Sequence, residues 1–171
     1  MGGKITIALA GLGSRGKDTY AQAVKKFPEK MEIVAIADID PAKVKEVAEE
    51  FHIPQERCFV SAEDLIAQDK LADVMFITTQ DQQHVRQAIP ALRKGYHLLL
   101  EKPISPDLDE CRELVKVAKE CDRQVIVCHV LRYTPIYSKV KEVIDSGVAG
   151  DIVSVMSIEN VGYWHQAHSF V

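Results

Sequence analysis

Three groups of residues have types and spacings that could do chemistry. The first is Gly11-Leu12-Gly13-Ser14-Arg15-Gly16, placed after an apolar run and before an amphipathic stretch, residues 18–27, with Tyr20, Ala21, Val24 and Phe27 at helical spacing. This reads as strand, glycine-rich turn, helix. In that geometry Gly11 permits the tight turn, Gly13 lets backbone approach a pyrophosphate, and Gly16 lets helix pack on strand. The helix start offers unpaired N–H groups and a positive dipole end to phosphates. Ser14 and Arg15, inside the turn, are counted with Gly11, Gly13 and Gly16 as dinucleotide-binding residues. The second group is Asp38, at the end of the apolar run over residues 31–38. It stands roughly 20 residues beyond the glycine turn, where an acid can accept from ribose hydroxyls and repel a 2′-phosphate. NAD is therefore expected over NADP, although Arg15 and Lys43 would soften that preference. The competing reading of Asp38 is a carboxylate that caps a loop or is merely solvated. The third group consists of Thr78, Thr79, Lys102 and His129, which close later apolar runs at the crevice end of the sheet; Thr78, Thr79 and Lys102 are counted among the cofactor-binding residues.

These residues need elements to position them. Short apolar runs alternate with amphipathic segments along the chain. Strands are expected over residues 31–38, 57–60 (weak), 72–78, 96–100 and 124–129, as well as before the glycine turn. Asp40-Pro41 reads as a helix cap with proline at the first helical position. Ser61 with Asp64 reads as a capping box, Gly95 as a helix-closing residue, Ser105-Pro106-Asp107 as a further cap, and Thr134-Pro135 as the start of a helix ending near Ser146-Gly147. Strands apolar on both faces and followed by helices argue for a parallel sheet covered on both sides. The fold class expected is α/β, a doubly wound Rossmann sheet whose ligand crevice lies outside the carboxyl ends of the strands. A further strand is expected over residues 151–159.

Composition narrows the field. The 171 residues are 47% hydrophobic and 27% charged, an ordinary globular balance. The net charge of −4 gives no basic field for nucleic acid. No apolar run approaches the roughly 20 residues that span a bilayer. The chain enters its first strand at once, so no signal peptide is expected and the location expected is cytoplasmic. Cys58, Cys111, Cys121 and Cys128 lack metal-ligand or CxxC spacing, so reduced thiols and no metal are expected.

Taken in order, GLGSRG, ADID ending in Asp40, Thr79 to His84 as T-x-x-x-x-H, Glu101-Lys102-Pro103, Arg132-Tyr133-Thr134-Pro135, and Gly147 to Ile152 make the chain resemble the glucose–fructose oxidoreductase / inositol dehydrogenase (Gfo/Idh/MocA) family along essentially its whole length. The resemblance implies a Rossmann domain over residues 1–150 and the beginning of an α+β substrate and oligomerisation domain over residues 151–171, of which one strand is present. The chain is therefore expected to be a fragment with little turnover, from a homo-oligomeric parent that transfers hydride between NAD and a hydroxyl-bearing carbon of a sugar or polyol. Lys102 is then the catalytic residue: it hydrogen-bonds the reacting oxygen, and burial beside the nicotinamide would lower its pKa from near 10.4. Glu101 orients Lys102, contacts the nicotinamide ribose, or forms a plain salt bridge. Pro103 aims the turn through a cis peptide. His84 lies beside the nicotinamide half or is a helix-start histidine with no role. Arg132 and Tyr133 contact ligand or pack a domain boundary. His165 and His168, near Trp164, are weaker candidates for a sugar or metal site. Rival readings are an NAD-using glycosidase of the same family, a non-catalytic NAD(P) sensor, and a methyltransferase using S-adenosylmethionine, in which the EKP and RYTP segments have no place.

Overall fold

Six strands carry the first part of the chain in the computed structural model, which describes residues 3–164 and 167. They are β1 (Ile5–Ala10), β2 (Met31–Ala37), β3 (Cys58–Phe59), β4 (Val74–Ile77), β5 (His97–Leu100) and β6 (Val125–Val127). All pair in parallel, in the order β3-β2-β1-β4-β5-β6. The order reverses between β1 and β4, which places a crevice at their carboxyl ends. The helices are α1 (Gln22–Lys26), α2 (Pro41–Phe51), α3 (Ala62–Ala67), α4 (His84–Arg93), α5 (Leu108–Glu120) and α6 (Pro135–Asp145). The expected doubly wound α/β sheet is what forms.

The alternation within each strand builds two cores. Ile7 and Leu9 of β1 join Ile33, Ile36 and Phe76 on one face, against Val24 and Val47. Ala8 and Ala10 turn to the other face with Ala35, Ala37, Met75 and Ile77, against Leu65, Leu92, Leu114 and Val117. Each fully buried Leu or Ile here contributes about 2 kcal/mol. The alanine floor of β1 and β2 on the second face leaves room for the larger side chains of the helices above it.

The caps follow local chemistry. Asp40 accepts from Ala42 N–H at 2.9 Å with Pro41 at the first helical position. Ser61 Oγ accepts from Asp64 N–H at 3.0 Å. Asp64, however, uses its carboxylate to accept from the Ser61 hydroxyl at 2.7 Å, a variation on the expected box. Asp107 caps α5 through Asp109 N–H.

Two expectations need correction. The helix after the glycine turn begins at Ser14, not at residue 18, and is wound wide over Ser14–Ala21 before tightening into α1. The strand expected over residues 151–159 does not form. A strand needs a partner for its N–H and C=O groups, and among the described residues nothing pairs with this stretch; Val153 and Met156 are 97% and 86% exposed. The chain divides into two compact units, Met1–Cys128 and His129–Val171. The second unit holds a short 3₁₀ turn, Val130–Tyr133, and α6. No helix among the described residues is long and apolar enough to cross a membrane. The four cysteines are free thiols.

Candidate active site

The glycine turn hangs from the ends of three strands. Gly11 N–H donates to Ala37 O at 2.9 Å, and Thr78 N–H to Ala10 O at 2.9 Å. The Thr78 hydroxyl, buried, reaches the carbonyls of Ala10 and Gly11 at 2.9 and 2.7 Å. Thr78 therefore shapes the turn from below; its only hydroxyl proton is spent there.

Gly11, Gly13 and Gly16 differ in what demands them. Gly11 sits at φ +90°, and a Cβ would lie 2.7 Å from the Thr78 carbonyl. At Gly16 a Cβ would lie 1.9 Å from Gly11 O. Both are required by the fold. Gly13 has φ −72°, and a Cβ there would meet no atom within 4 Å. The folded chain itself gives no reason for glycine at this position, and the open space over it is what a close-lying phosphate needs. The helix start beside it, at exposed Ser14 and Arg15, carries no side-chain cap, and first-turn amides have no intrahelical acceptor. The turn thus fits a pyrophosphate.

Asp38 does cap its loop, and the two roles that the sequence presents as alternatives are sterically compatible. Its Oδ2 accepts from Leu12 N–H at 2.6 Å and its Oδ1 from Asp40 N–H at 2.8 Å. It caps the loop, and each oxygen retains a second acceptor site for a ribose hydroxyl. Lys43 lies 3.9 Å from Asp40, and Lys17 pairs with Glu46 at 2.9 Å, so nearby cations already have acidic neighbours.

The Glu101-Lys102-Pro103 turn leaves β5 at the same end of the sheet, and the Lys102–Pro103 peptide is cis. Glu101 is 6% exposed. Its Oε1 accepts from the Tyr20 hydroxyl at 2.7 Å and its Oε2 from Lys102 N–H at 2.9 Å. Glu101 therefore orients the Lys102 backbone and forms no salt bridge among the described residues. Lys102 itself is exposed in the ligand-free chain, and Nζ has no hydrogen-bond or ion-pair partner among the described residues.

His84 is fully buried at the start of α4. Nδ1 lies 2.7 Å from Pro103 O and Nε2 3.2 Å from Thr79 O. Both neighbours are carbonyl oxygens, which only accept, so each ring nitrogen that carries a proton donates to the oxygen it faces. The ring braces the turn after β4 against the lysine turn. The Thr79 hydroxyl is 2.6 Å from Gln87 Oε1, and Gln87 Nε2 donates to Glu63. Tyr20, Gln87 and Cys128 are the participants that sequence reasoning missed. Tyr20 and Val24 both read as one apolar helical stripe, and nothing local separates the tyrosine with a polar job from its neighbours. Burial, then Cys128 and Glu101, pushes the Tyr20 hydroxyl far above its ordinary pKa. Burial likewise raises the Cys128 thiol.

Gly11, Gly13, Ser14, Arg15, Gly16, Asp38, Thr78, Thr79, His84, Glu101 and Lys102 all belong to the first unit. Arg132 is exposed in the second unit, on the turn Val130–Tyr133, and Tyr133 is 78% exposed. His165 and His168 lie outside the described residues; Trp164 is 74% exposed. Among the described residues no three His, Cys, Asp or Glu side chains gather into a metal-binding group.

Inositol 2-dehydrogenase of Corynebacterium glutamicum is 28% identical over 159 residues, 92% of this chain and 46% of that protein. The chain thus spans about half the length of the curated relatives it matches. Among solved structures, the WlbA dehydrogenase of Chromobacterium violaceum, in complex with NADH and UDP-GlcNAcA, superposes with a TM-score of 0.80 at 27% identity, covering 88% of this chain and 42% of that one. The scyllo-inositol dehydrogenase of Lactobacillus casei, with bound NAD(H) and scyllo-inositol, gives 0.79 at 25% identity, covering 87% and 43%. The family model for the Gfo/Idh/MocA oxidoreductases, described by an NAD-binding Rossmann fold, matches residues 5–129, and the chain belongs to that family.

Proposed function

We propose that this chain holds NAD across the ends of β1, β2 and β4 and serves hydride transfer between the nicotinamide and a hydroxyl-bearing carbon of a sugar or polyol. The observation that carries the reading is the hydrogen-bonded link from the glycine-turn helix to Lys102, through Tyr20 and Glu101. It puts an unpaired lysine on the same framework as the phosphate-binding turn.

The first-turn amides after Gly13 bind the pyrophosphate, and Asp38 accepts from the adenosine ribose. Bound NAD supplies the hydride acceptor. Lys102 Nζ, free to turn toward a ligand, donates a hydrogen bond to the substrate oxygen and stabilises negative charge developing there. Glu101 and His84 hold the turn that carries it. A sugar or polyol substrate is favoured by the inositol dehydrogenases among the relatives.

Calorimetric titration with NADH tests the reading. Saturable one-to-one binding is expected, retained in Lys102→Met, together with loss in that variant of any polyol-dependent NAD reduction. A chain that does not bind NADH, or a Lys102→Met variant with undiminished turnover, overturns it.

A further inference from the structure

We propose that Tyr20 is a positioning residue that couples the phosphate-binding turn to the peptide bearing Lys102, so that a ligand on the glycine turn tightens the lysine turn; this rests on the NAD reading above. Tyr20 lies in the wide helical segment Ser14–Ala21, whose first residues flank the open space at Gly13. Its hydroxyl donates to Glu101 across 81 positions of sequence, and the other oxygen of that carboxyl group accepts the Lys102 N–H. Helix, hydroxyl, carboxyl and lysine peptide form one continuous chain, with Cys128 beside the hydroxyl.

Three observations make this chain stiff. The Tyr20 ring packs edge-on against Phe76, with centroids 6.0 Å apart at 77°, so the hydroxyl is delivered to one place. Glu101 is almost wholly removed from solvent, so no water competes freely for its oxygens. Among the described residues no Lys or Arg pairs with Glu101, so these two hydrogen bonds are what fix it. An anion bound at the helix start restrains the helix, and the restraint passes through the hydroxyl to the carboxyl and so to the Lys102 peptide. The currency is lost motion rather than a change of shape, and amide exchange reads it.

The test is residue-resolved hydrogen exchange on the full chain, with and without ADP-ribose, which has the pyrophosphate but no nicotinamide to shield the lysine. In the wild-type chain ADP-ribose is expected to slow exchange of the Lys102 amide by about threefold or more. Tyr20→Phe keeps the ring on Phe76 and removes only the donor. Without ligand it should speed that amide by about tenfold, the loss of one buried hydrogen bond. It should also abolish the ligand's effect on Lys102 while ADP-ribose still binds within about threefold of wild type and the amides of β1 and β4 change by less than about twofold. Glu101→Gln, which cannot accept at both positions, should reproduce the local loosening. An unchanged Lys102 amide in Tyr20→Phe overturns the proposal, and so does uniform acceleration across the sheet, which would mark a purely structural tyrosine. Failure of ADP-ribose to bind the wild-type chain would reject the cofactor reading and the coupling with it; the unliganded comparison judges the Tyr20–Glu101 tie separately.

Discussion

Gly13→Ala and Gly16→Ala should fail in opposite ways, although both remove a glycine from one six-residue turn. At Gly16 the new methyl would sit 1.9 Å from Gly11 O. Carbon and oxygen need well over 3 Å, so helix and strand must separate by more than an ångström, and the obstacle is backbone that cannot swing aside. Overpacking of this kind costs about 3 kcal/mol, or about 10 °C in melting temperature for a domain of this size. At Gly13 the methyl meets nothing, and φ −72° suits any residue. Reduced freedom of the unfolded chain stabilises by about 0.5 kcal/mol. Alanine's poorer fit at a helix N-cap costs about as much, so the melting temperature should stay within about 2 °C. The methyl does, however, occupy the approach to the first-turn amides. Losing one charge-assisted hydrogen bond to phosphate costs about 1.5–3 kcal/mol, a loss of about tenfold to a hundredfold in NADH affinity. Thermal unfolding and calorimetric titration of both variants decide the matter. A Gly13→Ala chain that binds NADH as wild type does would refute the assignment of that space to pyrophosphate.

Asp38→Asn replaces one of two accepting oxygens by a donor, so either the Leu12 or the Asp40 amide loses its partner; stability should fall by about 1–3 kcal/mol. The same change removes the charge that repels a 2′-phosphate, and the ratio of NADPH to NADH dissociation constants should narrow by about tenfold, an unchanged ratio counting against a ribose role. At the opposite end of the sheet, the Thr6 backbone N–H and then its hydroxyl hold the Asp73 carboxyl below its ordinary value of 3.8. A depressed folded-state pKa contributes stability that is present above about pH 4 and is lost as the pH falls through the folded value. Thr6→Ala should therefore destabilise the chain more at pH 7 than at pH 3 in urea titrations, modestly because solvent screens the carboxylate; a difference that grew on acidification would show the sign to be wrong.

The fold was legible because its signals are local. Ile7 and Leu9 alternate with Ala8 and Ala10, both sets apolar, which is the mark of a strand covered on two faces, and Asp40-Pro41, Ser61 and Asp107 announce their helices through bonds no longer than three residues. Where the reading failed, the missing term was non-local. Residues 151–159 have a strand's composition, yet composition supplies only half of a ladder. The helix after the glycine turn begins at Ser14 because Gly16, lacking a Cβ, can already lie against Gly11 O. An amphipathic pattern cannot register that start, since its first apolar contact comes only at Tyr20.

The site divides along the same line, and the division explains why motif residues and their supports differ in visibility. Gly13 and Lys102 sit in motifs and face open space or solvent, so the types proposed for ligand contact are ones that any reader can anticipate. Tyr20 and Thr78 face inward. Their constraint is a geometric fit to partners 81 and 67 residues away. A tyrosine in an apolar stripe and a threonine at a strand end are each compatible with many folds, and only the sheet order that brings β1 beside β4 and β4 beside β5 gives their hydroxyls a carbonyl or a carboxyl to meet. The same holds for His84, whose spacing from Thr79 marks it as notable but whose bond to Pro103 O could not be anticipated. The lysine turn is held from one side by Glu101 and from the other by His84, and both are buried while Lys102 is exposed. The exposed side chain proposed to meet ligand is thus carried by a backbone whose supports are screened from water, where hydrogen bonds are stronger and leaving them unmade is costlier.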